Sequence, residues 1–246
     1  MKSLFAGLAV VVLFGAGCLE LRSKATTSDD NRAIESLDGL PGTPCDEVTM
    51  VLVGSIDGSL RFCIDRFEAG IDSGALGNAH QGVDDSDTSL DGTTLAKATV
   101  GLAATPATAV SWYQAKAACL NAGKRLCTQA EWELACGSHN SAPYPYGDTY
   151  NDTACNGFFN YNGDNPAPTG SFATCGSAFG VYDMSGNVEE WLDTAAESIR
   201  GSGTFNHRLF RGGSFRGNRR SLGCVGEEFH DAPGGGAEDR GFRCCK

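Results

Sequence analysis

The stretch Ala109–Gly137, "AVSWYQAKAACLNAGKRLCTQAEWELACG", decides the fold class. It carries two helix signals in succession. In the first, the Ser111 hydroxyl can cap an opening helix, Ala and Lys favour its interior, and Gly123 can end it. In the second, Thr128 and Glu131 have the spacing of a capping box, and Gly137 is expected to stop the helix. Upstream, "DEVTMVLVGSIDGSLRF" (46–62) places two apolar stretches around Asp-Gly and reads as a hairpin. Downstream lie roughly 40 residues rich in Gly, Asn, Pro and aromatics with no sustained period; so long an irregular stretch needs pins, usually disulfides or metal ions. "RLFRGGSF" (208–215) and "RGFRCC" (240–245) read as strands. Nothing repeats internally. Two helices among several short strands imply an α+β fold.

The 246 residues suffice for one sizeable core or two small ones. Glycine is abundant at 33 residues and only 20% of the chain is charged, which suits a loop-rich globular protein. The net charge of −11 argues against nucleic acid as a partner, because a phosphate binder needs clustered Lys and Arg. The one basic cluster, Arg216, Arg219 and Arg220, is short and is expected to be a solvated or internally paired face. At the N-terminus, Lys2 precedes the apolar run "LFAGLAVVVLFGAG" and then Cys18. The run is short for a spanning helix and has the flanks of a signal peptide. Gly15, Ala16 and Gly17 before Cys18 resemble a bacterial lipoprotein processing site, with Gly15 where Leu is usual. Residues 1–17 are therefore expected to be a signal peptide. Residues 18–44 would be a lipidated N-terminus at Cys18 followed by a polar, flexible tether, and 45–246 the folded domain. The membrane is then met through the lipid anchor alone. Leu19 lacks the Asp that retains lipoproteins at the inner membrane, so the outer membrane or cell envelope is the expected location.

Without Cys18 ten cysteines remain, an even number in an exported chain, which is the mark of a disulfide framework. A bridge between Cys45 and Cys63 would close the hairpin. One between Cys155 and Cys175 would restrain the Gly/Asn/Pro-rich stretch. Spacing does not fix the connectivity of the other six. No CxxC pair is present, so structural zinc is not expected.

Six blocks occur in one order: "FCIDRFEAG", "AVSWYQAKAACLNAGKRLCTQAEWELAC", "YPYGDTYNDTACNG", "FGVYDMSGNVEEWL", "FRGGSF" and "RGFRC". Together they resemble the sulfatase-modifying-factor family, which includes the formylglycine-generating enzymes, over about residues 45–246. The resemblance implies an irregular variant of the C-type lectin fold with little regular secondary structure. It implies bridges Cys119–Cys244 and Cys136–Cys224, leaving Cys127 with Cys245. It also implies structural calcium. One site would use Asp183, the carbonyls of Gly186 and Val188, and Glu190. A second would begin at Asn156, with Asp164 a further candidate. Two carboxylates and main-chain oxygens on a tight turn suit a hard cation with six to eight oxygen ligands.

In formylglycine-generating enzymes, "RGGSF" is followed by two cysteines that bind copper(I), and this copper–thiolate centre uses oxygen to oxidise a client cysteine. The corresponding positions here are Gly217 and Leu222, so no catalytic residue is assigned and copper is not expected. Cys224 lies two residues further; on a strand that spacing would keep the same face, but one thiol does not replace two. His80, His139, His207 and His230 are scattered without ligand spacing and read as loop or surface residues. No Gly-x-Ser-x-Gly elbow supports a hydrolase. Trp112, Trp132 and Trp191 read as packing. Arg211, Arg240 and Arg243 read as core arginines paired with carboxylates. The segment 72–106, acidic and Gly-rich, reads as a variable surface loop. The leading expectation is a membrane-tethered, non-catalytic domain that binds a protein, a peptide or an envelope ligand. One alternative is an oxidoreductase acting on cysteine in sulfatases. Another is a structural lipoprotein of an envelope assembly.

Overall fold

The structure is a computed structural model that describes residues 45–72, 97–160, 165–196, 207–225 and 229–246. The expected signal peptide, Cys18 and the tether lie outside these residues, as do His80 and Asp164. Among the described residues no helix is long and apolar enough to cross a membrane.

In chain order the elements are β1 (Met50–Gly54), β2 (Arg61–Asp65), β3 (Gly70–Asp72), β4 (Lys97–Thr99), α1 (Trp112–Asn121), β5 (Arg125–Leu126) and α2 (Gln129–Gly137). They continue with β6 (Glu189–Ala195), β7 (Arg208–Arg211), β8 (Phe229–Asp231), β9 (Arg240–Phe242) and β10 (Cys244–Cys245). One sheet has the order β1-β2-β10-β5, another β8-β7-β6-β9, and β3 pairs with β4. This is the expected α+β, strand-rich arrangement with few helices.

Local chemistry explains most of it. β1 and β2 form the hairpin, with Met50 opposite Asp65 and Gly54 opposite Arg61. Its turn is held by Asp57, whose carboxylate accepts from Ser55 and Ser59. Ser111 and Gln114 cap α1 reciprocally, and Thr128 and Glu131 do the same for α2.

Gly137 is the last residue of α2, where the stop is expected, and the left-handed residue that follows is Ser138, at φ 57°. The glycine is also needed for closeness, since a Cβ there would lie 2.8 Å from the Ala142 carbonyl oxygen. Two readings change. "RGFRCC" is two strands in two sheets, parted at Arg243. The segment 72–106 is not wholly loop: Lys97–Thr99 is β4, and Ala98 is buried against the core.

Among the described residues five disulfides join Cys45–Cys63, Cys119–Cys244, Cys127–Cys245, Cys136–Cys224 and Cys155–Cys175. Adjacent Cys244 and Cys245 serve two cores. Cys244 packs with Trp112, Trp191 and Phe242, and Cys245 with Trp132, Ile64 and Leu192. Successive side chains on a strand point to opposite faces, so one short strand can staple both.

Candidate functional site

Three places carry chemistry. The first is the buried polar centre beneath "YDMSGNVEEW". Arg243 is 1% exposed, and its guanidinium donates to both Glu190 oxygens at 2.7 Å and to the carbonyls of Asp65 and Tyr182. Trp132 Nε1 donates to the same Glu190 at 2.7 Å. Glu68 accepts from the Val188 amide at 2.9 Å and from the Asn187 side chain. Asn187, at φ 63°, also accepts from Asn156 Nδ2 and the Ala167 amide. Asp183, at φ 61°, accepts from the Gly170 amide at 2.6 Å. Three buried carboxylates thus face one guanidinium. Burial, with Glu190 alongside, pushes the Asp183 carboxyl up to about 6. Burial and the neighbouring Asp183 and Glu190 hold Glu68 well above the ordinary carboxylate range.

This bears on calcium. Both Glu190 oxygens are already engaged, and among the described residues no group of three or more His, Cys, Asp or Glu side chains is placed to hold a metal. As arranged, the first expected ligand set does not fit an ion through Glu190. Asn156 differs: among the described residues its buried Oδ1 has no hydrogen-bond partner, an acceptor of the kind a hard cation or a water satisfies.

The second place is the segment from Arg211 to Cys224. After β7 the chain leaves the sheet through Gly212 and Gly213, both at positive φ. It then makes turns, with Gly217 N donating to Ser214 O and Leu222 N to Asn218 O. The strand spacing assumed for Cys224 therefore does not apply, and Cys224 is bonded to Cys136. Leu222 is 3% exposed and fills a space walled by glycines. A Cβ at Gly157 or Gly217 would come within 2.8 or 2.9 Å of its methyl carbons, and one at Gly213 within 3.2 Å. Where the resemblance sets two thiols, there is packed hydrocarbon. Arg216 pairs with Glu238 at 3.3 Å on the surface, and Arg219 and Arg220 are exposed.

The third is a cleft of about 340 Å³ past the end of α2, lined by Ser138, Asn140, Pro145, Tyr146 and Ser177 among others. Ser138 contributes a buried hydroxyl without a partner on a backbone that L residues rarely adopt. Tyr146 stacks on Tyr144, with centroids 5.4 Å apart.

The core arginines pair as expected: Arg211 with Glu133, Arg240 with Glu189 and Asp231, and Arg243 with Glu190. The three tryptophans are buried. Sequence reasoning missed Glu68, although "FCIDRFEAG" contains it. It also missed that His207 and His230 meet, Nδ1 to Nδ1, at 2.9 Å.

The family model described as "Sulfatase-modifying factor enzyme 1-like domain" matches residues 61–246. The "Serine/threonine-protein kinase pkn1" of Chlamydia caviae is 33% identical over 159 residues, 59% of this chain and 25% of that protein. The "Formylglycine-generating enzyme" of Thermomonospora curvata is 33% identical over 169 residues, 56% of this chain and 54% of that protein. The "Inactive C-alpha-formylglycine-generating enzyme 2" of Bos taurus is 28% identical over 158 residues, 56% and 49% of the two chains. The chain thus spans a quarter to about half the length of these relatives. Among solved structures, CarF superposes with a TM-score of 0.52 at 19% identity, covering 81% of this chain and 98% of CarF.

Proposed function

The chain belongs to the sulfatase-modifying-factor family, and from that premise we propose that it is an exported, membrane-tethered lipoprotein whose family domain binds a ligand and does not oxidise thiols. One observation carries this reading. Leu222 occupies the space beside Gly217 where a copper–thiolate pair would stand, and the nearest cysteine, Cys224, is spent in a disulfide. Neither glycine nor leucine supplies a soft ligand or a redox thiol. That one relative bears the name of an active enzyme and another of an inactive one is compatible with loss of chemistry on a kept frame. The cleft beside Ser138 and Tyr146 offers a concave surface with aromatic and polar groups, the composition of small ligand and peptide sites. The ligand class is a protein, a peptide or a cell-envelope component, met outside the cytoplasm.

Calcium is proposed as a structural ion at the positions that the resemblance implies, Asp183 with the carbonyls of Gly186 and Val188 at one site and Asn156 at a second, with Glu190 left to Arg243. Bound there, it would supply positive charge to a centre rich in carboxylates and would hold the irregular segment in place.

The test is a peptide-oxidation assay. The full chain is incubated with copper, oxygen and a cysteine-containing sulfatase peptide, beside an active formylglycine-generating enzyme. No aldehyde above the copper-only blank is expected; aldehyde formation by this chain would overturn the reading.

A further inference from the structure

His207 and His230 are 23 residues apart in sequence, and pairing of β7 with β8 brings them together. Leu209 lies opposite His230, so His207, two residues before Leu209, shares its face and sits diagonally across the ladder. The His207 backbone is itself held by the Ala196 amide, which donates to its carbonyl at 3.0 Å. The rings are tilted by 47°, with centroids 5.1 Å apart and the two Nδ1 atoms 2.9 Å apart.

That spacing has a specific meaning for metals. Two metal–imidazole bonds of about 2.0–2.1 Å span about 2.9 Å when they meet at a right angle, and about 3.3 Å at the tetrahedral angle. The observed 2.9 Å, that of an N–H···N hydrogen bond in the metal-free pair, equals the span of two such bonds meeting at a right angle. We propose that His207 and His230 form a chelate for a divalent transition-metal ion of tetragonal preference, of the nickel(II) or copper(II) kind, with water completing its coordination.

In the neutral pair one ring donates its Nδ1 proton to the other. To bind through both Nδ1 atoms, the donor ring moves that proton to its Nε2, so the neutral pair loses no proton. A singly protonated pair would release one on binding. The chain carries a net charge of −11, and the Asp231 carboxylate lies close enough to feel the charge of His207, although it is paired with Arg240 and stands opposite Arg208. Bound there, the ion would clamp β8, an edge strand, onto β7 and close the ring that contains Gly217, Leu222 and Cys224. The site is separate from the buried carboxylates and from the Ser138 cleft, so it stands whether or not the binding-module reading survives.

The experiment is calorimetric titration of the full chain with Ni²⁺ at pH 7.5, with melting temperature followed in parallel. His230 is exposed and His207 half-buried, so the variants His207→Asn and His230→Asn are first checked for an unchanged melting temperature without the ion, and His139→Asn is the control. The expected result is one equivalent of Ni²⁺ bound, a higher melting temperature with the ion, and at least tenfold weaker binding in either paired variant. The control should match the parent. Absence of binding, or affinity unchanged in His207→Asn or His230→Asn, would overturn the proposal.

Discussion

The polar centre beneath β6 and the loop from Arg211 to Cys224 lie side by side yet are built on opposite principles. The first keeps three carboxylates, a guanidinium and an indole N–H in close mutual contact and away from water. The second closes glycines around one leucine, and its one cysteine, Cys224, is bonded to Cys136. The two even touch, because a Cβ on Gly186 would meet a Leu222 methyl at 3.4 Å and the Asn156 carbonyl closer still. On the proposed reading, the comparison teaches that the family frame can be kept where the chemistry is not. The charged centre positions the backbone, and the neighbouring loop can then be packed with hydrocarbon without disturbing it.

The largest effect should come from breaking the charged side. Arg243→Met leaves Glu190 buried without its partner, and urea unfolding should show a loss of about 3–5 kcal/mol, the cost of an unpaired buried charge. The hydrocarbon side is next. Leu222→Ala removes a buried side chain from a space walled largely by backbone, and the loss should be about 3 kcal/mol by the same measurement. Gly217→Ala fails for the opposite reason, since its Cβ would stand 2.8 Å from the Ser214 carbonyl and 2.9 Å from Leu222. It should cost about 1–3 kcal/mol. Combining it with Leu222→Ala sharpens the comparison, because the smaller neighbour makes room and the two losses should sum to less than their separate values. The smallest effect should be Thr128→Ala, which removes the α2 cap for about 1 kcal/mol and touches neither region.

What could be read from the sequence follows the range of the interactions. Both helices and their caps rest on contacts three residues apart, and the first hairpin on one turn; such elements are written locally. The Cys45–Cys63 and Cys155–Cys175 bridges were legible from the segments they bracket, whereas the other three needed the resemblance. Gly137 ends α2 as its sequence suggests, but the close passage of the Ala142 carbonyl is contained in no helix-stop rule. "RGFRCC" looked like one strand because nothing local says that Arg243 must turn inward to Glu190 and pass the chain from one sheet to the other. Glu68 lies more than a hundred residues from Asn187 and Val188, which it holds. The histidine pair was invisible for the same reason: it exists only once β7 and β8 are in register. The candidate site was thus legible as a list of residues, and the allocation of Glu190 to Arg243 was not.

The central claim is that no thiol remains for oxidation chemistry among the described residues, and it is tested most directly by intact mass of the protein alkylated before and after reduction. The account predicts that none of the ten cysteines of the folded domain is modified until reductant is added, and that all ten are modified afterwards. Modification of Cys136 or Cys224 without reductant would contradict it and return a free thiol to the loop beside Leu222.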